Sequence, residues 1–195
     1  LGFIIGLLLI KLINSKNINK IKNSIIDDLL VWSIFGVILG GRLGYVIFYQ
    51  TEIIFTNPVE IFYIWNGGMS FHGGLIGIIL STIFFSKRNA INFFQLSDLI
   101  SIVAPVGLFF GRIANFINVE LYGKVTSFPF AMIYPTIDKF PRHPSQLYEA
   151  LFEGVILFII LIYYNKKYLN EKSFGKITGI FFIYYGIIRF LIEFI

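Results

Sequence analysis

Arg112, Asn115 and Asn118 recur at every third position of G-R-I-A-N-F-I-N-V-E-L-Y-G, the stretch from Gly111 to Gly123. If the chain stays helical there, this spacing puts a permanent cation and two amides on one face. The stretch closes an apolar run from Leu99 to Phe110, so bilayer depth is expected. An arginine near a membrane interior costs roughly 2.5–3.5 kcal/mol on insertion scales and normally faces a cavity or a partner. A guanidinium beside amides suits a phosphate or another anionic head group. The plainer alternative has Arg112 snorkelling to the interface and the asparagines capping a helix end.

Five more groups are singled out. His72 lies in F-H-G-G, with Gly67, Gly68, Gly73 and Gly74 around it. Imidazole is the usual general base near neutral pH, whereas glycines in membrane helices are also common packing faces. Tyr185, Arg189 and Glu193 are four apart and share a helix face. That face offers a second contact to one phosphate, or only an internal i,i+4 pair. Glu149 and Glu153 stand one turn apart in an apolar helix, where pairing with Arg42 or Arg112 is expected. Arg42, after Gly40 and Gly41, reads as a supporting residue that pairs with an acid. Ser145 is placed as the N-cap after Pro144, and His143 in a positioning role.

The elements that position these groups are membrane helices. The 195 residues are 56% hydrophobic and only 14% charged, with two histidines and no cysteine. A soluble domain carries about 25% charged residues. Disulfides, thiolate metal sites and a thiol intermediate within the chain are excluded, and a polyhistidine metal centre is not expected. The net charge of +5 does not indicate nucleic acid, because Arg42, Arg112 and Arg189 sit in or beside apolar segments and most lysines fall in three short loops.

Six spans are read in order: Leu1 to Ile13, Ile25 to Tyr49 interrupted at Gly40 to Tyr45, Trp65 to Phe85, about Phe94 through Phe110, Leu147 to Tyr164, and Ile177 to Ile195. Pro105 is expected to kink the fourth. Loops after spans one, three and five hold nine lysines and arginines, and those after spans two and four hold three. The basic side is cytoplasmic. Asn118 to Ser145, with four of the six prolines, and Glu120 therefore face outward. The fold class is an all-α polytopic membrane bundle. It is a single transmembrane domain over residues 1–195, with an external arm over 118–146. The chain begins and stops inside apolar stretches, so it is expected to be part of a longer one.

Five ordered blocks resemble the prolipoprotein diacylglyceryl transferase family: G-G-R-L-G-Y-V-I-F-Y, W-N-G-G-M-S-F-H-G-G-L-I-G, G-R-I-A-N-F-I-N-V-E-L-Y-G, R-H-P-S-Q-L-Y-E and Y-G-I-I-R-F-L-I-E-F. The resemblance covers nearly the whole chain and implies seven spans in the family. It places the family's essential histidine at His72 and its signature arginine at Arg112. Its important asparagine, glutamate and glycine fall at Asn115, Glu120 and Gly123. The late tyrosine, arginine and acid fall at Tyr185, Arg189 and Glu193. The family usually has N-G-E where this chain has Asn118-Val119-Glu120. A β-branched residue resists positive φ, so a different local backbone is expected there.

The resemblance implies transfer of the diacylglyceryl group of phosphatidylglycerol to the lipobox cysteine of a preprolipoprotein signal peptide, in the bacterial inner membrane with the site facing outward. His72 takes the thiol proton in this reading, while Arg112 and Arg189 hold the leaving phosphate. Asn115 and Tyr185 orient the head group and Glu120 holds glycerol hydroxyls or a cation, while Gly123, Glu193 and a supporting Arg42 are counted with them as substrate-binding. No metal or cofactor is needed, because two arginines neutralise the phosphate. A transporter binding an anion at broken helices is the main alternative, although the glycine-rich blocks are not duplicated in the two halves. A metal-dependent head-group transferase would need paired aspartates, and Asp27-Asp28 lies at the other end of span two.

Overall fold

A computed structural model describes residues 1–17, 20–168 and 173–195. Lys172, counted above among the basic loop residues, lies outside the described residues. Among the described residues there are seven helices: α1 (Gly2–Ser15), α2 (Asn23–Tyr49), α3 (Glu52–Thr56), α4 (Phe71–Asn89), α5 (Phe93–Ile117), α6 (Ser145–Tyr168) and α7 (Lys176–Ile192). Two compact units result, Ile21–Leu96 and the remainder, Leu1–Lys20 with Ser97–Ile195. By length and composition α2, α5 and α6 are long and apolar enough to cross a membrane.

In the Ile21–Leu96 unit, α2 and α4 touch backbone to backbone. A Cβ on Gly44 would stand 2.7 Å from the Gly73 Cα, and one on Gly36 would stand 2.8 Å from the Gly77 carbonyl oxygen. Only hydrogen fits between these helices, the small-residue packing that brings membrane helices together. The Gly40 to Tyr45 stretch therefore does not interrupt α2, contrary to expectation. Its glycines serve contact with α4, and the helix is continuous through Tyr49. Trp32 meets Phe85 edge-on across the same pair at 5.9 Å. Hydroxyls close their bonds locally, Ser33 Oγ to the Leu29 carbonyl at 2.8 Å and Thr82 Oγ1 to the Ile78 carbonyl at 2.7 Å. Both hydroxyls are thereby satisfied without water.

The segment expected to open span three is not part of α4. Residues Pro58–Phe62 and Ile64–Asn66 are 3₁₀ turns, and α4 starts at Phe71. Gly67 and Gly68 adopt φ of +79° and +78°, a region that ends helices and that only glycine enters freely. Ser70 caps α4, its hydroxyl accepting from the Gly73 N–H at 3.2 Å.

The other unit packs α1, α5, α6 and α7 around Ile13, Ile102, Leu157, Leu161 and Ile177. Helix α5 runs through Pro105 without a break. Helix α6 contains a π-helical stretch, Ala150–Ile156. There Gly154 admits α5 so closely that a Cβ would fall 2.7 Å from the Phe109 Cβ. Helix α7 follows Gly175 at φ +93° and has no side-chain cap of its own. Asp98 on α5 caps it instead, accepting from the Gly175 N–H at 2.8 Å, the Thr178 N–H at 2.8 Å and the Thr178 hydroxyl at 2.7 Å.

The segment between α5 and α6 is not helical. Two short antiparallel strands, β1 (Met132–Ile133) and β2 (Pro141–Arg142), pair Met132 with Arg142 and Ile133 with Pro141. Arg142 holds this segment together. Its guanidinium donates to Asp138 at 2.6 and 3.2 Å, reaches the Gly123 carbonyl at 3.4 Å, and covers the Tyr122 ring at 5.1 Å.

Candidate active site

Arg112 projects from α5 toward α6, where Glu149 and Glu153 lie one turn apart. Its Nε stands 3.1 Å from Glu149 Oε2, and its Nη2 donates to Glu153 Oε2 at 3.2 Å. Arg189 of α7 pairs with the other oxygen of Glu149 through Nη1, and with Glu193 Oε2 at 3.4 Å. Two arginines from two helices thus converge on one carboxylate of a third. The side chains of Glu149 and Glu153 are 5% and 0% exposed, whereas Arg189 is 40% exposed. The pairing expected for the two glutamates is present.

Among the described residues, the fully buried charges of this unit, Glu149 and Glu153, lie at this place. Breaking such a pair by removing one partner costs about 3–5 kcal/mol, because an uncompensated charge stays behind. Glu153 Oε1 is buried and takes no hydrogen bond. The π-helical stretch carries Glu153, and Gly154 beside it lets α5 approach, so local geometry places the acid against Arg112. Tyr185, half-buried on α7, adjoins the same group, with Arg112 and Glu153 as its electrostatic neighbours. A carboxylate shared by two guanidinia and a phosphodiester make the same demand, two oxygens met by forked donors.

Below Arg112 the chain leaves α5 and turns. Asn115 Nδ2 donates to Glu120 Oε2 at 2.9 Å, and the Glu120 N–H returns to the Asn115 carbonyl at 2.8 Å. Asn118 does not share the α5 face, because the helix ends at Ile117. The reason is the turn that follows, with Val119 at φ +58° and Leu121 at φ +53°. Valine therefore takes the left-handed conformation that was expected to be avoided here.

The first residues of α6 hold this turn. Ser145 is the first helical residue and not the N-cap. Its hydroxyl donates to the Leu121 carbonyl at 2.8 Å, and Gln146 Nε2 donates to the Glu120 carbonyl at 2.6 Å. Gly123 donates to the His143 carbonyl at 2.9 Å, and a Cβ there would meet that oxygen at 2.8 Å. The His143 ring nitrogen Nδ1 lies 3.4 Å from the Tyr148 hydroxyl.

His72 and Arg42 belong to the other unit. His72 is exposed in the first turn of α4, its ring edge-on to Phe71 at 5.7 Å. Arg42 is 6% exposed and pairs with no carboxylate among the described residues, contrary to expectation. Its donors go to main-chain carbonyls: Nε to Ile61 at 3.0 Å, Nη1 to Gly67 at 2.7 Å and Gly68 at 3.3 Å, and Nη2 to Glu60 at 2.7 Å. Glycines at positive φ turn carbonyls inward there and supply what an acid would have supplied.

Comparison with known proteins decides the family. The family model for prolipoprotein diacylglyceryl transferase matches residues 1–195. This chain belongs to that family. Phosphatidylglycerol–prolipoprotein diacylglyceryl transferase of Rickettsia felis is 47% identical over 197 residues, covering 99% of this chain and 76% of the relative. The enzyme of the same name from Rhizobium meliloti is 50% identical over 169 residues, 87% of this chain and 60% of its own length. That of Nitratidesulfovibrio vulgaris is 48% identical over 170 residues, 87% of this chain and 64% of its own. The family is polytopic and membrane-embedded, in keeping with an all-α chain whose α2, α5 and α6 are long and apolar enough to span.

Proposed function

We propose that this chain is a diacylglyceryl transferase that moves the diacylglyceryl group of phosphatidylglycerol to the thiol of a prolipoprotein cysteine. Family membership carries the activity, and the convergence of Arg112 and Arg189 on Glu149 is the observation that carries the site. Sulfur attacks the glyceryl carbon that bears the phosphate. A carbon–sulfur bond forms, the carbon–oxygen bond breaks, and glycerol phosphate leaves with the bonding electrons. The thiol proton goes to a base.

Arg112 and Arg189 meet the phosphate oxygens and stabilise the charge that grows as it leaves. In this reading the phosphodiester displaces part of the carboxylate pairing. Asn115 and Tyr185 orient the head group, and Glu120, held by Asn115, addresses the glycerol hydroxyls. Gly123 lets the turn pass close to His143, while Glu193 holds Arg189 from its exposed side. His72 is the base, assigned from its residue type and its place in F-H-G-G. A thiol with a pKa near 8.5 needs such help at neutral pH. No step requires a cofactor.

The finer topology belongs to the same reading: six of the family's spans, with the basic loops inside. The segment over residues 118–146 then forms an external arm. The active site opens on the outer face of the bacterial inner membrane, where the peptide cysteine arrives after translocation.

The test is reconstitution with phosphatidylglycerol and a lipobox peptide, following glycerol phosphate release and peptide mass together. Arg112→Ala is expected to lose both while still inserting. Glycerol phosphate release that persists in Arg112→Ala would remove the phosphate site from this cluster.

A further inference from the structure

Arg42 and its neighbour Gly41 grip both ends of one loop. Arg42 collects the carbonyls of Glu60, Ile61, Gly67 and Gly68. Gly41 accepts from the Ser70 N–H at 2.9 Å, and a Cβ at Gly41 would stand 2.7 Å from the Met69 Cε. Glu60 to Ser70 is thereby closed into a ring against α2. Its exit is Ser70, which caps the helix turn that bears His72. Tyr45, one turn beyond Arg42 on α2, completes the clamp. Its ring lies under the guanidinium at 5.6 Å and fills the space a side chain at Gly68 would need.

Every guanidinium nitrogen of Arg42 has a carbonyl partner, and the residue is buried. Four of its five N–H donors are engaged this way, so a two-pronged grip on a lipid phosphate would require dismantling the loop. A lysine cannot replace it, because one ammonium cannot reach several carbonyls in a fork.

We propose that Arg42 is a positioning residue, which fixes the Glu60–Ser70 loop and through it the first turn of α4 at His72. This rests on the assignment of His72 as the base, and it removes Arg42 from the residues that touch lipid. A misplaced catalytic group loses rate on the order of 100-fold without any loss of ground-state binding.

The experiment measures Arg42→Ala, Arg42→Lys and His72→Ala in reconstituted protein, with kcat and KM for phosphatidylglycerol separated. Amide hydrogen exchange over residues 60–71 is read in parallel. Arg42→Ala and Arg42→Lys are expected to lower kcat on the order of 100-fold with KM unchanged. Faster exchange confined to the loop should accompany this, and added methylguanidinium should restore part of the rate in Arg42→Ala. A raised KM with kcat retained would make Arg42 a lipid ligand and overturn the proposal. Full activity in both Arg42 variants beside an inactive His72→Ala would overturn it and leave the base assignment standing. Full activity in His72→Ala would instead remove the base assignment on which the proposal rests. If Arg42→Ala does not fold, Gly68→Ala reads the same clamp, because its Cβ collides with the Tyr45 ring at φ +78°. The same kcat loss is expected there, and full activity would overturn the proposal.

Discussion

Arg112 and Arg189 stand on different helices and share one carboxylate, Glu149, each guanidinium taking a different oxygen. Glu149 therefore sets the separation of the two cations as well as neutralising them. Glu149→Ala is expected to lower stability by at most about 3 kcal/mol, the low end for breaking a buried pair, since Arg112 keeps Glu153 and the 40% exposed Arg189 keeps Glu193. Denaturation in micelles measures the loss. Added phosphatidylglycerol should raise the midpoint of the variant more than that of the wild type, because its phosphate replaces the missing anion. Equal shifts in the two proteins would count against a phosphate at this place.

Asp98 acts on the site from a distance. It caps α7 across the unit, and Arg189 stands on that helix. Asp98→Ala should cost about 0.5–2 kcal/mol, the usual worth of an N-cap. The first turn of α7 should exchange its amide hydrogens faster than the rest of the helix. Uniform exchange along α7 would show that the cap is not what fixes it.

Val119 carries a backbone strain that glycine would relieve. A side chain in the left-handed region costs roughly 1–2 kcal/mol, while glycine costs roughly 0.5–1 kcal/mol in unfolded-state entropy. Val119→Gly is expected to raise the unfolding midpoint by up to about 1 kcal/mol equivalent, with transfer activity kept. A lower midpoint would mean that the turn does not hold φ +58° in the membrane.

The segment between α5 and α6 should loosen in acid. The Arg142 hydrogen bonds hold the Asp138 carboxyl below its ordinary value of 3.8, with burial acting weakly the other way. A carboxylate with a lowered folded value contributes stability above its unfolded pKa and loses it as pH falls through the folded one. Protease nicking between 126 and 141 should therefore rise as the pH drops below about 4. Asp138→Asn should be nicked more readily at neutral pH and should lose most of that pH dependence. An unchanged acid response in Asp138→Asn would place the titrating group elsewhere.

The sequence by itself determined the class, the family and the cluster of candidate residues. Apolar runs, lysine asymmetry and ordered motifs are local properties, readable without knowing which helices touch. The i,i+4 relation of Arg189 to Glu193 was legible for the same reason. Tertiary structure decided the partners. Arg112 and Glu153 are 41 residues apart and Arg189 and Glu149 are 40 apart, so helix packing alone chooses between candidate acids. Arg42 shows this most plainly: its sequence context asked for a counter-ion, and folding answered with main-chain carbonyls. Gly67 and Gly68 turned those carbonyls inward, and a hydrogen-bonding fork is satisfied by whichever oxygens the backbone brings to it.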